Sequence, residues 1–227
     1  MLSSFLSILI AILTPAIAGS IESARTAAMK NKGRGIWVSI VVANAEREPL
    51  DMEPLWPSDL AKKGIVFENA EDYFCYLMSD GKDKKTIARD PERRVVPDLK
   101  PEMLTGPGMK AAAPGGPLLP ENNAWHVILI DDEAHLEVPF IVTRNVKASA
   151  IAWPSEAELA DMEANAVHIP LDKDTKPFRD VSAIWATRGG SVISAPARYL
   201  IRARMCHVPK PGGAPELKVL PAAGGFK

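Results

Sequence analysis

The chain has 227 residues and a formal net charge of -1, with 27 Lys and Arg against 28 Asp and Glu. So even a balance leaves no basic excess for a phosphate backbone, which removes nucleic acid from the expected partners. The length suits one mid-sized domain plus an anchor; 20 prolines and 15 glycines give much of it to loops, and 6% aromatic residues imply a modest core.

From Leu2 to Ala18 there is no charged residue, and Ile21, Glu22, Ala24, Arg25, Ala27, Ala28 and Met29 continue without a proline after Pro15. Ala, Glu, Arg and Met are good helix formers. As a helix the apolar part covers roughly 25 Å, against about 30 Å of bilayer hydrocarbon. The segment reads as one helix, residues 1–48, with a transmembrane half at 2–18. Leu2, Phe5, Leu6, Ile8, Leu9, Ile10, Ile12 and Leu13 are the side chains that lipid or neighbouring helices would cover. Pro15, which has no amide donor, would loosen the helix locally. Two other readings compete. A signal peptide would end at Ala16-Ile17-Ala18 before Gly19, although no Lys or Arg precedes the apolar run. A core helix apolar all round needs protein on every side, and nothing downstream supplies that much apolar surface.

Leu13-Thr14-Pro15-Ala16-Ile17-Ala18, followed by Glu22-Ser23-Ala24-Arg25 and Ala27-Ala28, resembles the N-terminal helix of type IV pilin-like proteins and type II secretion system pseudopilins. In that family an apolar helix breaks at a proline and turns amphipathic. Gly33-Arg34-Gly35-Ile36-Trp37-Val38, Asn44-Ala45-Glu46-Arg47-Glu48-Pro49 and Trp56-Pro57 resemble the continuation in one group of bacterial pseudopilin-like proteins. The likeness extends through Asp72-Tyr73-Phe74, Asn123-Ala124-Trp125 and Val142-Thr143-Arg144-Asn145. The resemblance implies a structural subunit that self-assembles through its first helix, with itself or paralogues, in a type II secretion or type IV pilus-like system. It implies a single pass through the bacterial inner membrane, a periplasmic or extracellular globular part, and the secretion or pilus assembly machinery as partner. If Pro15 matches the family's proline, the processing junction, a Gly-Phe pair with a glutamate soon after, falls before or around Met1. No such pair is present, so processing and N-methylation carry over to no residue of this chain. Arg25, Lys30, Lys32 and Arg34 after the span would by charge alone stay cytoplasmic; the resemblance favours export.

Ile36 to Val42 is rich in β-branched residues, yet Ile36, Ile40 and Ala43 share one helical face, and helix is the expectation. A bend is expected at Gly33 and Gly35. Pro49, Pro54 and Pro57 enforce a loop. Asn69 reads as an N-cap, with Glu71 and Asp72 in the first turn of a short helix that buries Tyr73, Phe74, Leu77 and Met78 and stops at Gly81. Lys82 to Arg94 reads as a solvated charge run. Residues 91–120 are a Pro/Gly-rich loop, expected to be an exposed excursion.

Trp125 to Ile130 and Leu136 to Thr143, separated by Asp131-Asp132-Glu133, read as a hairpin. Val146 to Trp153 is a candidate strand, and Ser155-Glu156-Ala157-Glu158 a capping-box start for a short helix. Ile184 to Thr187 and Ser191 to Ser194 around Gly189-Gly190 form a second hairpin. Arg198 to Cys206 suits a last strand or a short helix, and the tail after Pro209 reads as loose. The fold class is α+β, a long N-terminal helix on a small antiparallel sheet, with 49–227 as the globular domain. This is also the pilin-like arrangement.

In an exported domain Cys75 and Cys206 could form a disulfide closing a long loop; two buried thiols are the alternative. Asp132-Glu133-Ala134-His135 spells a DEAH box, but no Gly-x-x-x-x-Gly-Lys-Ser/Thr loop precedes it. The same carboxylates could take calcium, with a hairpin turn as the plainer reading. His126, His135, His168 and His207 lack zinc spacing, and Ser79-Asp80-Gly81-Lys82 matches Ser-x-x-Lys without its companion motifs. The sequence nominates no catalytic residue, no cofactor and no metal site, so an enzyme is not expected.

Overall fold

The computed structural model describes residues 2–81, 85–162, 164 and 166–226; within the first helix the side chains are described at 17 and from 19 onward. Helix α1 runs unbroken over Leu2–Arg47. The good helix formers and the proline-free stretch between Pro15 and Pro49 account for that length. It ends where Pro49 enters a 3-10 turn over Glu48–Leu50 and Asp51 takes a left-handed conformation (φ 53°). Four further helices are short: α2 (Pro57–Lys62), α3 (Ala70–Met78), α4 (Pro101–Leu104) and α5 (Glu156–Ala160). A fifth, α6 (Arg202–Met205), follows the strands.

The strands β1 (Trp125–Ile128), β2 (Pro139–Thr143), β3 (Ser182–Thr187), β4 (Val192–Pro196) and β5 (Val219–Leu220) form one sheet in the order β4-β3-β2-β1-β5. Every neighbouring pair is antiparallel. β1 and β2 are buried at every position, which explains why they read as continuous apolar runs and not as alternating ones. The layout is α+β. Trp56, Tyr73, Phe74, Trp125, Phe140 and Trp185 fill the core, with Trp56 edge-on to Phe140 at 5.1 Å between ring centroids.

Local signals were met where the chemistry is local. The Asn69 side chain accepts from the Asp72 amide at 2.9 Å, and the helix it starts buries Tyr73, Phe74, Leu77 and Met78. Ser155 and Glu158 form a reciprocal capping box. Both hairpins form, with Gly190 at φ 84° in the second turn.

Several expectations are corrected. The helix is not interrupted at Gly33 or Gly35: a Cβ on Gly33 would lie 3.3 Å from Trp125, and one on Gly35 3.3 Å from the Met103 sulfur. These glycines allow close approach. The 91–120 stretch is no exposed excursion, since Val96, Leu99, Leu104, Ala112 and Leu118 are buried and α4 lies against α1. Pro57 opens α2 instead of continuing a loop. In the charge run Arg94 is buried and donates to the Ala88 and Leu99 carbonyls; Lys82, also part of the Ser-x-x-Lys match, lies outside the described residues.

Val146 makes only an isolated bridge to Leu171, and Ala148–Ala150 is a 3-10 turn, so 146–153 adds no strand. Arg198 to Cys206 is helical in its second half. The tail is not loose: β5 pairs with β1, and Ala222 is fully buried.

Candidate interaction surface

The second half of α1 is a packing face. Met29, Gly33, Ile36, Ile40 and Ala43 are buried, spaced four, three, four and three residues apart, which keeps them on one side of a helix. That side lies on β3 and β4, with α4 alongside. Polar contacts fix the register. Lys32 Nζ donates to the Thr105 carbonyl at 2.9 Å and to its hydroxyl at 2.8 Å, and partial burial lowers the pKa of this lysine. Trp37 Nε1 donates to the Arg188 carbonyl at 2.7 Å, and the Leu55 amide to Asn44 Oδ1 at 2.7 Å. Gly190 is required twice over, because a Cβ there would lie 2.8 Å from the Trp37 ring.

A second set of positions has the same spacing and the opposite fate. Ile17, Ile21, Ala24 and Ala28, then Val38, Val42 and Ala45, are all exposed. At 3.6 residues per turn the first group lies about 110° and the second about 170° around the helix from the packed face. Ile17 is 55% exposed and Ile21 46%, and no described residue between 17 and 28 is buried. The described turns of α1 from residue 17 to 28, about 18 Å of helix, are therefore left uncovered by the domain. Leu2, Phe5, Leu6, Ile8, Leu9, Ile10, Ile12, Leu13 and Pro15 belong to the first half of α1; their backbone is helical and their side chains lie outside the described residues. Among the described residues no helix is long and apolar enough to cross a membrane.

The other candidate groups are absorbed by structure. Asp132 accepts from Trp56 Nε1 at 3.0 Å and from Arg188 at 2.7 Å, while its amide donates to Asp59 at 2.8 Å. The acidic turn is thus a latch between the first hairpin, α2 and the second hairpin. Among the described residues no three His, Cys, Asp or Glu side chains are grouped to hold a metal ion.

His126 is fully buried, with Nε2 3.0 Å from the Val146 carbonyl and Nδ1 accepting from the Ala222 amide at 2.8 Å. Burial holds its pKa down to about 4, so the ring is neutral at pH 7. Glu71, whose pKa burial raises, accepts from Asn123 and from the Ala223 amide. Together these two side chains clamp the C-terminal tail. Sequence reasoning placed Glu71 in the first turn of α3 and gave His126 no role; their bonds to the tail were not foreseen, because those partners lie far away in the chain.

No disulfide joins Cys75 and Cys206; both are buried, and desolvation pushes the Cys206 thiol up to about 11. A thiol so hard to ionise is a poor partner for exchange.

No family model, curated protein or solved structure matches this chain.

Proposed function

We propose that the chain is a pilin-like structural subunit, a pseudopilin that self-assembles through α1 in a type II secretion or type IV pilus-like system. In this reading residues 2–18 lie in the inner membrane before assembly and against sister or paralogous helices afterwards. The globular part is periplasmic or extracellular, and the assembly machinery is its other partner. The observation that carries the reading is the division of α1: a buried seam from Met29 to Ala43, and a projecting half whose small and apolar residues continue along the far side. Ala24 and Ala28 would let helices approach closely. Moving apolar side chains from lipid to a neighbouring helix costs little, which suits reversible assembly.

The same boundary also supports a second reading, a secreted or periplasmic binding domain released after Ala18. Among the described residues the packed seam starts at Met29, eleven residues beyond Ala18.

Cysteine cross-linking in membranes tests the proposal. An Ala24→Cys or Ala28→Cys chain should give oxidation-dependent dimers, since both native thiols are buried. An Ile36→Cys control, on the packed face, should not. Absence of dimers from both stripe variants contradicts the proposal.

A further inference from the structure

The end of the domain from which α1 projects carries a cleft of about 340 Å³, lined by His168, Arg198, Tyr199 and Arg204, with Met162 at its rim. The two guanidinium groups lie 4.7 and 5.4 Å from the Tyr199 ring centroid. Cation–π contact gathers both at a ring that is itself 47% exposed. Among the described residues no carboxylate lines this cleft and neither arginine has an acidic partner. Arg202, between them, is accounted for by Glu158 at 3.7 Å. Of the two acids flanking Met162, Asp161 accepts from the Ala164 amide at 3.0 Å, and Glu163 lies outside the described residues. An antiparallel bridge from His168 to Ile201 keeps the imidazole beside the arginines. Met162 and Val167 are exposed apolar neighbours. Paired cations with aromatic and aliphatic side chains around them suit a surface where charge and hydrocarbon meet.

The strand order locates this cleft along α1. Arg188 and Asp132 line a cleft with Val41, Asn44 and Glu48, at the C-terminal end of the helix. Val192 and Ala186 lie against Gly33, further toward its start. β4 thus runs back along α1 toward the projecting half, and Arg198 and Tyr199 follow directly at its end. Gly33 lies about 22 Å of helix beyond Ala18, and β4 covers about 13 Å of that distance. The remaining roughly 10 Å is spanned by an arginine side chain and a headgroup layer of about 5 to 8 Å.

We propose that Arg198, Arg204 and His168 around Tyr199 bind the phosphate of anionic phospholipid headgroups, seating the domain on the bilayer that the first half of α1 enters. The inference rests on the membrane reading of that helix.

The test is vesicle partitioning of the full-length chain, comparing phosphatidylcholine alone with equal parts phosphatidylcholine and phosphatidylglycerol. A basic residue near an anionic surface is worth about fivefold in partitioning, so Arg198→Ala with Arg204→Ala should lose roughly thirtyfold on mixed vesicles. The same variant should match the wild type on phosphatidylcholine. A charge-preserving Arg198→Lys, Arg204→Lys chain should retain most of the preference, and added salt should shrink the difference. Equal partitioning of wild type and the alanine variant into mixed vesicles overturns the proposal. So does binding of inorganic phosphate by the wild type without any headgroup preference, which marks a soluble anion site. Failure of both chains to bind phosphatidylcholine sinks the membrane helix instead; a variant difference on mixed vesicles is read separately from it.

Discussion

Met29, Gly33, Ile36, Ile40 and Ala43 are buried on the side of α1 that meets β3 and β4, whereas Ile17 and Ile21, on the same helix, stay about half exposed. Both sets repeat at spacings of three and four, so periodicity alone does not say what a stripe packs against. The partner decides. For the second half the partners are the sheet and α4 of the same chain, and the sequence concedes space to the sheet at Gly33 and to Met103 of α4 at Gly35. Among the described residues from 17 to 28 none is buried, and the proposed partners there are lipid and other copies of the helix.

The sharpest way to break this contrast is truncation of one side chain in each half. Ile36→Ala or Ile40→Ala should destabilise the domain by about 2 to 5 kcal/mol, read by chemical denaturation, because a fully buried side chain leaves a cavity. Ile21→Ala should stay within about 0.5 kcal/mol of the wild type. Equal losses would mean that the projecting half packs on the domain after all.

A second prediction extends the packed region to the C-terminal tail. His126 titrates near 4 when folded and near 6.5 when unfolded, so between those values the unfolded chain binds more protons. Stability therefore rises with pH across that window, and about 3 kcal/mol is lost on acidification from 6.5 to 4. Glu71, with a raised pKa, contributes in the opposite sense and loses its contribution as pH rises through its folded value. Thermal melts of wild type and His126→Gln between pH 4 and 7 should show a flatter slope for the variant; parallel slopes would remove His126 as the cause.

Smaller still is the cap of α3. Asn69→Ala should cost about 1 kcal/mol in the same denaturation assay, from loss of the bond to the Asp72 amide. An unchanged midpoint would show that water replaces the cap. The smallest effect on stability, and the largest on assembly, belongs to Ile21→Ser: a near-wild-type melt with loss of Ala24→Cys cross-linking. Retained cross-linking would detach assembly from the stripe.

What could be read from the sequence was local. Asn69, the Ser155 capping box, the two hairpins and the long helix carry their signals within a few residues. The tail at Val219–Ala223 and the docking of Met103 and Thr105 on α1 carry none, because a two-residue strand has no period and burial there comes from His126, Glu71 and Lys32, far off in the chain. The apolar residues from Leu2 to Leu13 drew attention by composition. The outward stripe from Ile17 to Ala45 did not, since small alanines look unremarkable until the opposite face is known to be covered. The basic cleft was equally silent: His168 meets Ile201 and Arg204 only through the fold.

The central claim is that the projecting half of α1 stays on the mature protein to be covered by lipid or neighbours. Intact-mass measurement of the chain recovered from membranes of its native host tests it most directly. The account predicts a membrane-associated product that retains residues 2–18. A product in the soluble fraction beginning at Gly19 would contradict it.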